Sequence, residues 1–266
     1  MRRRTITAAW IAVAVVLVAG GVVVWQVRYR TDTAVTPIDI DVVVSLFQEQ
    51  PAAAVAAGDR DASALPAVGV YSYATTGGDE VDALGGASHQ YPSQSTVTVT
   101  NTGCGVRQRW VAAEERWDEF ATCVDTASGG VSLTDVTTFH RFFGADERES
   151  YTCEGEPRPI GAPAGTTWVT TCTKTSGDDV QTWRGTVVGA ETLTVDRQVV
   201  AVDHVVVAIT DDERENAQRT ETWYLAGTDL VVRRLVDNRT TNGSPIGDVH
   251  YVEHAEIMLS SLIPVR

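Results

Sequence analysis

From about residue 68 onward, run after run of this chain alternates with a period of two, and this constrains its fold more than any other feature. STVTVTN (95–101) alternates hydroxyl side chains with valine, and TTWVTTCTKT (166–175) puts Trp168, Thr170 and Cys172 on one face. QVVAVDHVVVAIT (198–210) is a long β-branched run, followed by TETWYL (220–225) and DLVVRRLV (229–236). Successive strand side chains point to opposite faces, and β-branched residues pack well on a pleated surface. Turn-forming residues separate the runs at Gly77-Gly78, Ser128 to Gly130, Ser176 to Asp178, Asp211 to Asn216, Ala226 to Thr228 and Asn242-Gly243. The pattern predicts a mostly β domain over residues 67–266: a large curved antiparallel sheet or half-barrel, built as a meander of hairpins. One segment, RWVAAEERWDEFATC (109–123), reads as an interruption, with a helical turn around Ala112 to Trp117.

The four cysteines, Cys104, Cys123, Cys153 and Cys172, form two successive pairs, each 19 positions apart. An even count outside the cytoplasm reads as disulfides. Four cysteines allow three connectivities, and the repeated spacing favours Cys104–Cys123 with Cys153–Cys172. On the chain-entropy model each bridge contributes about 3 kcal/mol. The short C-x2–4-C knuckles of a four-cysteine zinc site are absent.

At the N-terminus, the residues between Arg4 and Arg28 carry no charge and are mostly Ala, Val, Ile and Leu. Such a run is long enough to cross a hydrocarbon core of about 30 Å. Trp10 and Trp25 sit near its ends, and Arg2, Arg3 and Arg4 favour the N-terminus inside. The rival is a cleaved signal peptide ending near Ala19-Gly20-Gly21, but Val22-Val23-Val24-Trp25 prolongs the apolar run beyond a typical cleavage site. The sequence thus predicts a cytoplasmic tail and one transmembrane helix over 1–30, touching the bilayer through residues 5–27. A low-complexity spacer over 31–66 follows, with a short helix around Val42 to Gln50, and then the extracytoplasmic domain.

Charge narrows the partners. Five of the 21 basic residues lie in the first 30 positions, leaving 16 against 35 acidic ones, a net charge of −19 for the rest. That balance repels nucleic acid and anionic membrane surfaces, so neither is expected to bind the domain.

Near the C-terminus His250-Tyr251-Val252-Glu253-His254 spells H-x-x-E-H, which resembles the zinc motif of the inverzincin peptidases in these five residues alone. The motif needs a helix, where His250 and His254 lie one turn apart. On a strand they are about 13 Å apart and Glu253 points to the other face. Val249, Tyr251, Val252 and Ile257 favour a strand, in which Val249, Tyr251, Ala255, Ile257 and Leu259 share a face with only Glu253 out of place. The strand is the expectation, so no catalytic, cofactor or metal residue is assigned.

Other candidates have plain readings. Asp79, Glu80, Asp82 and His89 surround a glycine-rich stretch that could serve as a loop site, the plainer alternative being a hydrogen-bonded histidine. His140 and His204 sit in strand-like runs and read as core or cross-strand histidines. Asp211 to Glu215 reads as a solvated hairpin tip, and the sequons at Asn238 and Asn242 as coincidence. Trp110, Trp117, Trp168, Trp183 and Trp223 read as core anchors, with the alternative that some line a cavity for an apolar or sugar-like ligand.

Tyr71-Ser-Tyr, Gly85-Gly86-x-x-His89-x-Tyr91-Pro92, Gly103-Cys104-Gly105-Val106, His140-x-Phe142-Phe143-Gly144, Tyr151-Thr-Cys153 and Gly247-Asp248-Val249-His250-Tyr251 together resemble a group of uncharacterised actinobacterial exported or single-pass membrane proteins. The hairpin TWYLAGTDLVVRRLV (222–236) is similar to those of periplasmic lipoprotein-carrier half-barrels, which wrap a curved sheet around acyl chains. That resemblance implies an apolar ligand. The expected function is a non-enzymatic binding or carrier module of the bacterial cell envelope. A purely structural or protein-contact domain is the alternative, and an unrecognised hydrolase comes third.

Overall fold

The computed structural model describes residues 35–55, 64–125, 127–211, 214–244 and 247–266. Among these residues two short helices, α1 (Ile40–Gln48) and α2 (Ala52–Val55), precede thirteen strands. These are β1 (Gly69–Val81), β2 (Ala87–Gln90), β3 (Gln94–Asn101), β4 (Gly105–Ala113), β5 (Arg116–Val124), β6 (Val131–Phe142) and β7 (Ala145–Gly155). They continue with β8 (Thr167–Lys174), β9 (Val180–Val195), β10 (Gln198–Asp211), β11 (Arg214–Leu225), β12 (Val231–Ser244) and β13 (Gly247–Leu259). From β3 to β13 each strand pairs antiparallel with its neighbours in sequence.

The sheet closes on itself. β1 pairs with β13 from Tyr73↔Leu259 to Val81↔Tyr251, and with β3 from Gly69↔Val99 to Ala74↔Gln94. Short β2 runs beside β1 past the end of β3, from Gly78↔Gln90 to Val81↔Ala87. The expected half-barrel is therefore a closed twelve-strand barrel with β2 as an added segment. An open sheet would leave the N–H and C=O groups of β1 and β13 as bare edges, whereas closure pairs them.

Local sequence explains most strands and two departures. Gly77-Gly78 is not a turn but lies inside β1, between β13 and β2. A Cβ on Gly77 would stand 2.0 Å from the His254 carbonyl oxygen, and one on Gly78 2.0 Å from that of His89. Glycine here admits close backbones on both sides of one strand. The helical turn expected over Ala112 to Trp117 is instead the tight β4–β5 reversal, with Ala113 opposite Arg116. The helix propensity of AAEER yields to pairing and burial, since Ala112, Ala113 and Arg116 are all buried.

The N-terminal segment straps the outside of the barrel. Thr36 donates its N–H and hydroxyl to the two Glu115 carboxylate oxygens, both at 2.8 Å, and its carbonyl accepts from Glu114 N–H. Ile38 covers buried Val111, Trp117 and Phe139. α1, capped by Asp39 at Asp41 N–H, seats Phe47 against Val68 and Val70. The short helix expected around 42–50 is thus present. The apolar run of residues 5–27 lies outside the described residues, among which no helix is long and apolar enough to cross a membrane.

Cys104 is bonded to Cys123 and Cys153 to Cys172, the connectivity favoured by the spacing. Cys153 and Cys172 are direct register partners on β7 and β8. The first bridge ties the start of β4 to the end of β5.

Candidate functional site

Alternation on twelve strands sends one set of side chains into the barrel, where they line a cavity of about 270 Å³. The cavity is blind. At one end its lining residues Asp229, Arg158 and Val131 are buried. At the other, Phe142, Thr240 and Val249 are half-buried and Glu147 is exposed, which forms a mouth. Turns β4–β5 and β6–β7 lie at that mouth, so Thr36 binds Glu115 on its rim.

The closed end is held by Asp229. Its carboxylate accepts from Arg158 Nη2 at 2.7 Å, Gln108 Nε2 at 2.9 Å and Thr122 Oγ1 at 3.0 Å, and its N–H donates to the Ala64 carbonyl at 2.7 Å. The Arg158 guanidinium also stacks 3.8 Å from the Tyr224 ring. The side-chain bonds join β4, β5, the β7–β8 loop and the β11–β12 turn.

From the first position of β5 Arg116, the largest fully buried side chain among the described residues, reaches into the lumen. Its Nη1 and Nη2 bind the two Asp118 oxygens at 2.5 and 2.8 Å, and its Nε and Nη2 bind the two Glu253 oxygens, each at 3.0 Å. Glu253, 0% exposed, further accepts from Tyr91 Oη at 2.7 Å and Asn238 Nδ2 at 3.2 Å. Burial acts to lower the Arg116 pKa, but Asp118 and Glu253 push it well above its ordinary value. Burial and then the Glu253 charge push the Tyr91 hydroxyl well up. The cluster, one guanidinium between two carboxylates, is a hydrogen-bonded rivet joining β5, β12 and β13 across the barrel.

Beside this cluster, with Asp79 opposite Glu253 and His140 opposite Arg116 in register, Asp79 and His89 form a buried pair at 2.9 Å, and His140 Nδ1 lies 3.7 Å from the other Asp79 oxygen. Burial would raise the Asp79 pKa, but the flanking His140 and His89 and the Arg116 charge hold it well below the usual carboxylate range. His89 stacks on Phe142, and His140 and Phe142 meet Tyr251 edge-on.

The rest of the wall is largely apolar. Trp168 lies flat on Gly185, where a Cβ would stand 2.0 Å from the indole. Phe120, Leu133 and Trp183 pack around Val136, Tyr151 and the Cys153–Cys172 bridge. Arg234 enters this wall with its Cζ 4.8 Å from the Phe120 ring centre, and its Nε has no hydrogen-bond partner among the described residues.

The residues singled out from sequence are redistributed by this geometry. His250 and His254 face outward as separate exposed pairs with Asp82 (2.6 Å) and Asp237 (3.4 Å), while Glu253 turns into the lumen. No group of three or more histidine, cysteine or acidic side chains that could hold a metal lies among the described residues. The loop set Asp79, Glu80, Asp82 and His89 splits: Asp79 meets His89 inside, Glu80 is exposed, and Asp82 binds His250. His204 is held between Glu191 and Glu221 and stacks on Trp223. Asn238 faces the lumen, away from any glycan. Asp212 and Glu213, in the expected hairpin tip, lie outside the described residues. Trp110, Trp168 and Trp183 line the cavity, whereas Trp117 packs under Ile38.

Sequence reasoning missed Arg116, Arg158, Asp229 and Arg234 as lumen residues. One signal was available: Glu253 was the single carboxylate on an otherwise apolar strand face. No family model, curated protein or solved structure matches the chain.

Proposed function

We propose that this chain is a binding or carrier module that takes an elongated, largely apolar small molecule into its barrel, outside the cell and tethered to the membrane. The observation that carries the reading is the blind lumen: about 270 Å³, closed by the Asp229 network and open at the Phe142–Glu147 rim. This is slightly below the usual range of small-molecule pockets, which suits a slender ligand. Three indoles, Phe120 and Tyr224 supply apolar surface, and the buried charged groups around Arg116 are bonded to one another, not aimed at a reacting group. Tethering follows from the apolar run at residues 5–27. The stretch between Arg28 and Thr36 reaches at most about 29 Å, so an anchor there would keep the mouth close to the bilayer.

The test is native mass spectrometry of the full chain released from lipid nanodiscs. A retained mass of several hundred daltons, lost when Val207→Trp fills the lumen, is the expected outcome. A bare polypeptide in both forms would reject the carrier reading in favour of a contact domain.

A further inference from the structure

We infer that Arg234 is the recognition residue of the lumen, and that the ligand is an amphiphile bearing one carboxylate. The inference rests on the binding function proposed above and adds its chemical class. Three guanidinium groups line the cavity. Arg116 is bonded to both Asp118 and Glu253, a cluster with one negative charge in excess, and Arg158 is paired with Asp229. Among the described residues half-buried Arg234 has no carboxylate within ion-pair distance, and its Nε is buried without an acceptor. Buried cations are normally paired, because an unmatched charge in a low-dielectric site is costly.

Its surroundings define what completes it. Across the ladder Arg234 faces Thr222 of β11, whose side chain also lines the cavity, and Ile257 of β13. Phe120 covers the guanidinium from β5. A planar guanidinium fork beside one hydroxyl suits a single carboxylate held by two parallel hydrogen bonds. A dianion such as a phosphate monoester is disfavoured. Among the described residues Arg234 is the one lumen arginine without an ion-pair partner, while Glu147 stands at the mouth and Asp118, Asp229 and Glu253 lie within, so a second negative charge on the ligand would meet no cation. Arg234 also lies deep, three residues past the closed end of β12 at Val231. The carboxylate therefore enters first, and the apolar tail runs back past Trp183 and Tyr151 towards the rim.

The experiment titrates the full chain in nanodiscs with dansyl-undecanoic acid and with its methyl ester, following tryptophan-to-dansyl energy transfer against protein-free nanodiscs. The acid should bind on the order of tenfold or more tighter than the ester, the scale of a charge-assisted hydrogen-bonded pair. Arg234→Met, close in volume, should abolish that ratio, and Arg234→Lys should keep part of it. Equal binding of acid and ester to the unaltered protein would overturn the assignment of Arg234 while leaving a lumen that binds apolar chains. Saturable binding of neither would overturn both. If Arg234→Met loses its thermal transition, the acid-to-ester ratio in the unaltered protein and in Arg234→Lys decides the case.

Discussion

Replacing Glu253 by leucine should destabilise the barrel more than most single core substitutions do. The side chain is 0% exposed and accepts four hydrogen bonds, two from Arg116 and one each from Tyr91 and Asn238. Removing one partner of a buried ion pair costs about 3–5 kcal/mol. Arg116 keeps both bonds to Asp118 and so stays paired, and the loss of its two charge-assisted bonds to Glu253 takes the lower figure, about 3 kcal/mol together. The Tyr91 hydroxyl and the Asn238 amide lose their acceptor, adding about 1 kcal/mol each. The expected loss is therefore about 5 kcal/mol, or a fall in Tm of about 10–20 °C for a domain of this size. Glu253→Gln keeps the shape and the bond from Tyr91 and should lose less than half as much. Urea denaturation followed by tryptophan fluorescence reads both variants. A loss below about 1 kcal/mol for Glu253→Leu would refute the claim that this carboxylate fastens β13 to the far wall.

Two further outcomes follow from the lumen. Gly185→Val drives a side chain into the plane occupied by the Trp168 indole and should cost about 1–3 kcal/mol, with a shifted Trp168 emission; an unchanged melt and spectrum would contradict the packing. The Asp79 carboxyl is held below its ordinary value, so its contribution is present above the unfolded value of about 3.9 and is lost as pH falls towards the folded one. Below about pH 4, unfolding free energy should therefore drop more steeply in the unaltered protein than in Asp79→Asn, and coincident pH profiles would count against the His89–Asp79–His140 cluster.

The parts of this fold that were legible in the sequence are those made by neighbours. Period-two runs become strands because alternation is a property of one strand alone, as Trp168, Thr170 and Cys172 show by turning inward together. The two disulfides follow the same logic, each joining adjacent strands of the meander. The segment 247–259 is a strand because residues 231–244 needed a partner, and the full ladder from Arg233↔Met258 to Ser244↔Gly247 supplies it. The turn falls just after Asn242-Gly243, which are still paired in that ladder.

The site was nearly illegible for the opposite reason. Barrel closure joins Tyr73 to Leu259, and nothing local distinguishes a sheet that closes from one that stays open. Arg116 finds Glu253 at a sequence separation of 137, and Gln108 finds Asp229 at 121. Nothing local marks Arg116 or Asp229 as lumen residues; the curvature of the closed sheet turns those faces inward. By itself the sequence determined the strands, their order, the stapled hairpins and the strand state of the H-x-x-E-H segment, since backbone alternation and short loops act over a few residues. Only the tertiary structure decided that the sheet closes, which face is the inside, and that among the described residues Arg234 is the one lumen arginine without an ion-pair partner, because ion pairing in a low-dielectric cavity depends on distances that strands remote in sequence set together.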